Sequence, residues 1–229
     1  MLRVRLLGRM EVEAGGTLVT PPHSRRAWSL LAWLAVHPGV HPRSAVAAQF
    51  WPDVLESSAR ASLRSAVWTL RLALGPAGSP ALLTGRDRIE LRCVTDLAAF
   101  DGLVAAGELE RAIALCRGPL LADLDDDWVL VARDEHADRQ AAVLAALAAA
   151  ADTPVEAVAW ARRRLAVNPL DEEAARDLMR RLAAAGEPAA ALIVCERLRA
   201  RLRRALGGAP SEQTRALAER LRRAAAVPT

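Results

Sequence analysis

Arginine is the residue through which this sequence can do chemistry. Over 56–74, ESSARASLRSAVWTLRLAL, the residues Arg60, Arg64, Trp68 and Arg71 recur at helical spacing, and at about 100° per residue they share one flank. Beside that flank lie only short side chains: Ser58, Ala61, Ser62, Ser65 and Thr69. A guanidinium offers a rigid fork of N–H donors that fits a phosphate or the O6 and N7 edge of guanine. Low polar neighbours let such a helix sit in a groove. A helix that only stays soluble more often interleaves acids at i,i+4, and this one has no acid after Glu56. The chemistry on offer is contact with a polyanion, with Arg60, Arg64, Ser65, Trp68 and Arg71 as candidate contacts. The ordinary alternative is a solvated amphipathic helix.

Two further arginine pairs point the same way. Ser24 is placed to N-cap a helix running to about His37, which puts Arg25 and Arg26 in its first turn, where the helix dipole is positive and cations are misplaced. A nearby phosphate would remove that conflict. Arg86 and Arg88 belong to Gly85–Arg88, the turn between two short β-like runs, Ala81–Thr84 and Arg88–Arg92.

Other chemistries are poorly provided for. All 31 basic residues are Arg, so a P-loop lysine, a Schiff-base lysine and a kinase lysine are excluded. No G-x-S-x-G, H-E-x-x-H or G-x-G-x-x-G occurs, and no catalytic function is expected. Asp123, Asp125, Asp126, Asp127 and Asp134 mimic the acidic spacing of a calcium loop, but Trp128 stands where that loop needs glycine. Those carboxylates are instead assigned to capping a helix over 127–151. His37 and His41 are separated by Pro38-Gly39, which precludes a helical metal pair, and are expected in a surface loop. Cys93, Cys116 and Cys195 lack any C-x-x-C spacing and read as small buried hydrophobes. Neither a metal nor a cofactor is predicted.

The positioning elements follow from hydrophobic pattern. With 52% of its 229 residues apolar, the chain can bury a sizeable core. It has no run of 18 uncharged apolar residues and no signal-peptide core, so no membrane partner and a cytoplasmic location are expected. Leu2, Val4 and Leu6, then Met10 and Val12, alternate as strands, and Gly15-Gly16 turns the chain into Leu18-Val19. Helices over 24–37, 43–50 and 56–74 precede the hairpin. In the long helix Ala59, Leu63, Ala66, Val67, Leu70 and Leu74 form the core stripe, and Gly75-Pro76 ends it. From Asp96 the pattern is helical throughout, with LVAAGELERAIALC (103–116) matching LAAAGEPAAALIVC (182–195), and 152–161 matching 186–195 at a 34-residue offset. The fold expected is mainly α. A winged helix-turn-helix domain over 1–95, with a small N-terminal antiparallel sheet, three helices and a C-terminal β-hairpin wing, precedes an all-α tetratricopeptide-like repeat domain over 96–229. Charge divides likewise: 12 Arg against 6 acids before residue 96, and 19 against 21 from it onward.

Nearly the whole chain resembles the SARP-type bacterial transcriptional activators, with an OmpR-like winged helix and a bacterial transcriptional activation domain. The resemblance rests on LRVRLLGRMEVE, SRRAWSLLAWLAVHPG, FWPD, ARASLRSAVWTLRLALG and LLTGRDRIEL in the first half. In the second it rests on Thr95-Asp96-Leu97 with Phe100, CRGPLLADLDDDWVLVARDEH, NPLDEEAARDLMRRLAAAGE and ERLRARLRRALGGAPSEQTRAL. It implies a double-stranded DNA partner bound at direct repeats near promoters, contact with RNA polymerase, and head-to-tail self-association on DNA. A protein-interaction adaptor, with the winged helix as a docking module, is the alternative.

Overall fold

The computed structural model describes residues 1–226 and separates into two compact units, Met1–Arg133 and Asp134 onward. In the first, β1 (Leu2–Arg5) and β2 (Glu11–Ala14) pair antiparallel with Val4 opposite Val12, so that alternation sends Leu2, Val4, Val12 and Ala14 inward. Gly15 and Gly16 take φ of 59° and 87°, the doubly left-handed turn that matches strand twist, and β3 (Thr17–Leu18) returns beside β2. Ser24 Oγ accepts from Ala27 N at 3.2 Å and starts α1 (Arg25–Val36). Then come β4 (Val40–Pro42), α2 (Arg43–Phe50) and α3 (Glu56–Gly78). The regular part of α3 stops at Gly75, whose φ of 61° and ψ of −171° break it before Pro76. The expected stripe from Ala59 to Leu74 is buried at every position. Next, β5 (Leu82–Thr84) and β6 (Arg88–Leu91) form the wing hairpin, followed by β7 (Val94–Thr95).

Two strands escaped the sequence pattern. Pro38-Gly39 does end α1, yet β4 follows at once and pairs antiparallel with β6, His41 opposite Ile89, giving the wing a third strand. Three residues that include a proline carry no alternation of their own; the partner strand supplies the conformation. His41 is therefore a strand residue and not a loop residue, while His37 lies just beyond α1 as its C-cap. His37 caps α1 and stacks on Trp33 with ring centroids 4.5 Å apart, while His41 Nε2 donates to the His37 carbonyl at 2.8 Å. The second missed strand, β7, closes the N-terminal sheet by pairing parallel to β1, Arg3 opposite Val94.

The first compact unit runs on past Thr95 to Arg133, and the chain beyond β7 is tied back to the segment after β1, with Leu7 and Leu120 forming an isolated antiparallel bridge. It continues through α4 (Asp96–Ala105) and α5 (Leu109–Leu115). Beyond β1 the backbone donors of Leu6–Met10 have no strand partner and must be met elsewhere. The Asp96 carboxylate accepts from Leu6 N at 2.6 Å and Leu7 N at 3.2 Å, and Asp123 Oδ1 accepts from Met10 N at 2.8 Å. Leu121 N donates to Leu6 O at 2.8 Å. Asp123 thus serves the sheet and not the helix that follows it. Leu121 itself is fully buried with φ of 49°, and the Arg133 guanidinium holds that bend by donating to the carbonyls of Leu120, Leu121 and Leu124 at 2.8–2.9 Å.

The second unit takes over within α6 (Asp127–Ala150) and continues through α7 (Pro154–Val167), α8 (Glu172–Ala184), α9 (Pro188–Leu206) and α10 (Glu212–Ala226). Successive helices pack pairwise, α7 on α8, α8 on α9 and α9 on α10. Ala161, Ala174, Ala175 and Ala191 are fully buried where they meet, and such small side chains allow close approach. The internal repeat is structural. At Gly107 and Gly186, with φ of 76° and 81°, the chain makes the same left-handed helix stop. Glu108 N donates to Leu103 O at 2.9 Å in one, and Glu187 N to Leu182 O at 2.8 Å in the other.

Candidate nucleic-acid interface

Three elements of the first unit converge on one cleft. The wing turn is closed by Gly85 N donating to Arg88 O at 2.9 Å, which leaves Arg86 and Asp87 at its tip. Arg43 N, the first amide of α2, donates to Asp87 O at 2.9 Å and fixes that helix start against the wing. The N-terminal half of α3 supplies the remaining wall. The cleft holds about 300 Å³ and is lined by Arg43, Ser44, Arg60, Leu63, Arg64 and the wing residues Gly85, Arg86 and Asp87.

Its electrostatics are those of an anion site. The Arg43 guanidinium is held below its ordinary value, first by partial burial and then by the positive charges of Arg64 and Arg71. Close like charges favour an anion that neutralises them together. Arg60 pairs with Glu56 at 2.5 Å, one turn back, though both side chains are more than half exposed, so the pair is weak and exchangeable. Arg71 Nη2 donates to Thr84 Oγ1 at 2.6 Å.

Of the residues expected from sequence, Arg60, Arg64 and Arg86 meet at the cleft, and Arg71 lies close enough to Arg43 to lower its pKa. Ser65 is exposed on α3, Trp68 is 64% exposed, and Arg88 begins β6 opposite Pro42. The other tryptophans behave as packing residues: Trp28 is buried, and Trp33 and Trp51 ring Phe50 at 6.2 and 6.0 Å. Arg25 and Arg26 do not line the cleft. Arg26 faces Asp126 at 3.6 Å, so the misplaced cation at the start of α1 meets a carboxylate of this chain. Arg43 was missed, although it carries the same signal as Arg25 and Arg26: a cation in the first turn of a helix, here behind Pro42 with no side-chain cap.

Elsewhere the chemistry is quiet. Burial pushes the Cys93 thiol up to about 11 and raises that of Cys195, so neither is a ready nucleophile. Among the described residues no cluster of three His, Cys, Asp or Glu side chains is placed to hold a metal ion, and no helix is long and apolar enough to cross a membrane.

The first unit is thus a winged helix whose third helix carries the arginines of the cleft, and the second is a set of stacked helical hairpins. Residues 93–222, more than half of the chain, match the bacterial transcriptional activator domain, and the chain belongs to that family as a transcriptional activator of the SARP type. Among solved structures it is similar to EmbR of Mycobacterium tuberculosis in complex with a low-affinity phosphopeptide, at 25% identity and a TM-score of 0.66. That match covers 97% of this chain and spans 65% of the length of EmbR. No curated protein matches the chain significantly.

Proposed function

We propose that this protein activates transcription in the cytoplasm by binding direct repeats beside promoters, copies arranged head to tail, and by contacting RNA polymerase through its helical half. The observation that carries the DNA-binding part is the convergence of Arg43, Arg60, Arg64 and Arg86 on one cleft between recognition helix and wing. In this reading residues 1–95 supply the DNA contacts. α3 enters the major groove, where Arg64, midway along it, pairs with a guanine edge, while Arg60 and Ser65 make neighbouring contacts. Arg43 at the start of α2 and Arg86 at the wing tip grip phosphates on either side, positioning the helix without reading sequence. Arg88, Arg71 and Trp68 border the same face, and Arg25 and Arg26 approach the backbone only if Asp126 releases Arg26. Tandem occupancy follows from a heterologous contact between copies.

The test is a gel shift on DNA upstream of the protein's own gene, comparing a full repeat with a single half-site at several salt concentrations. Tight, salt-dependent binding that prefers the full repeat is expected, with transcription by added RNA polymerase stimulated on the same template. Complete indifference to sequence and salt would make the winged helix a docking module and the protein an adaptor.

A further inference from the structure

We propose that the groove between α7, α8 and α9 binds an acidic, leucine-bearing amphipathic helix of a partner protein. This rests on the reading that the helical half serves protein contact, and it names the chemistry of what is held. The groove has a volume of about 370 Å³ and an aliphatic floor formed by Leu165 of α7, Leu178 and Leu182 of α8 and Val194 of α9. Ile193 stands in its wall and is 52% exposed, a large apolar side chain left facing water. Arg162, Arg197 and Arg201 form the rim. Arg162 is only loosely engaged, with Glu187 at 3.9 Å, and Arg197 and Arg201 have no ionic partner among the described residues.

The spacing gives the occupant its geometry. Ile193, Arg197 and Arg201 follow one another at i, i+4 and i+8 along α9, so the two arginines are spaced by roughly 6 Å of helix rise. A helix laid along the groove with carboxylates at i,i+4 meets both, and its adjoining leucines cover Ile193 and the floor. Nucleic acid fits less well: phosphates would satisfy the rim but leave the aliphatic floor without apolar cover. The sign of the field agrees, since α9 reads PAAALIVCERLRARLRRAL, five arginines against one glutamate.

The experiment uses the whole chain and a labelled synthetic peptide of roughly 18 residues, with Glu at i,i+4 along one edge and Leu on the neighbouring face. Binding is read by fluorescence anisotropy against a scrambled peptide and a peptide with Lys in place of Glu. Saturable binding of the acidic peptide alone is expected, weakened about tenfold or more by Ile193→Asp. The double variant Arg197→Glu with Arg201→Glu should lose the acidic peptide and acquire the lysine one, an exchange that a misfolded variant would not show. Equal binding of the scrambled peptide, or indifference to all three substitutions, overturns the proposal. So does a DNA duplex whose binding falls with Ile193→Asp. Transcription activation by the wild-type chain is scored separately. If activation is present while peptide binding ignores these residues, the groove assignment fails and the activator reading stands; if the peptide pattern holds without activation, the activator reading fails and the groove stands.

Discussion

Arg71 donates to Thr84 across 2.6 Å, joining the later turns of the recognition helix to the first strand of the wing. The contact is exposed and worth about 1 kcal/mol or less in stability, but it sets where the wing stands relative to α3. Thr84→Val should leave the unfolding midpoint nearly unchanged while hydrogen exchange at residues 84–89 rises. Operator affinity should then fall with base preference unaltered. A changed preference would show that Arg71 reads a base when freed from Thr84.

Arg64 and Arg86 should fail differently when replaced by alanine. Arg64→Ala should cost about 1–3 kcal/mol of binding and relax preference at one base position. Arg86→Ala should weaken all sequences about equally and reduce the slope of log affinity on log salt by roughly one. Titrations on the operator and its single-base variants at several salt concentrations separate the two patterns, and the reverse result would exchange the roles of helix and wing.

Arg43→Ala removes a charge crowded by Arg64 and Arg71. Folding stability should therefore hold steady or rise by a few tenths of a kcal/mol, roughly, as expected when a like-charge neighbour is deleted. DNA binding should fall across all sequences, with the salt slope lowered by about one. Thermal melts and salt titrations of the same preparation check both; unchanged DNA affinity would remove Arg43 from the interface.

The helix-borne part of this molecule was legible because periodicity reports burial directly. The stripe from Ala59 to Leu74 and the paired turns at Gly107 and Gly186 follow from local spacing alone. Strands β4 and β7 were not legible, being three and two residues long and held by partners remote in sequence. Nor was the partner of Arg26: Asp126 lies a hundred positions away, and nothing local distinguishes a carboxylate of the chain from a phosphate of DNA. Net charge misled in another way. The slight acidity of residues 96–229 averages over segments and conceals the basic run on α9, whose Arg197, Arg199, Arg201, Arg203 and Arg204 are all exposed. Arg43 could have been found by applying to α2 the dipole argument applied to α1.

Glu172 ties α8 to the start of α10, and that tie should loosen in acid. Its carboxylate accepts from Ser211 N at 2.9 and 3.0 Å, from Ser211 Oγ at 2.6 Å and from Thr214 Oγ1 at 2.5 Å. Burial works to raise its pKa, but these bonds together with Arg176 hold it below the ordinary carboxylate value. A carboxyl that titrates lower when folded than unfolded contributes stability in full above its unfolded pKa and loses it as pH falls through the folded one. Exchange protection of the first turn of α10 should fall on acidification below about pH 4.5. Glu172→Ala should cost about 1–3 kcal/mol at neutral pH and abolish that pH dependence. A variant that kept the same acid response would assign it to another group.

The bonds from Asp96 and Asp123 to the amides of Leu6, Leu7 and Met10 also have a consequence for synthesis on the ribosome. Those amides wait for partners some ninety or more positions downstream, so the first unit cannot close when residue 95 emerges. At about 5–20 residues per second the wait lasts seconds, during which an open sheet edge is exposed to other chains. Within the second unit the delay is shorter, since α8 packs on α7, α9 on α8 and α10 on α9, each on the helix made just before it. A fragment ending at residue 95 should therefore aggregate or melt early, whereas one ending at Arg133 should fold. The first unit is, in order of manufacture, begun first and completed only once the chain has passed Asp123.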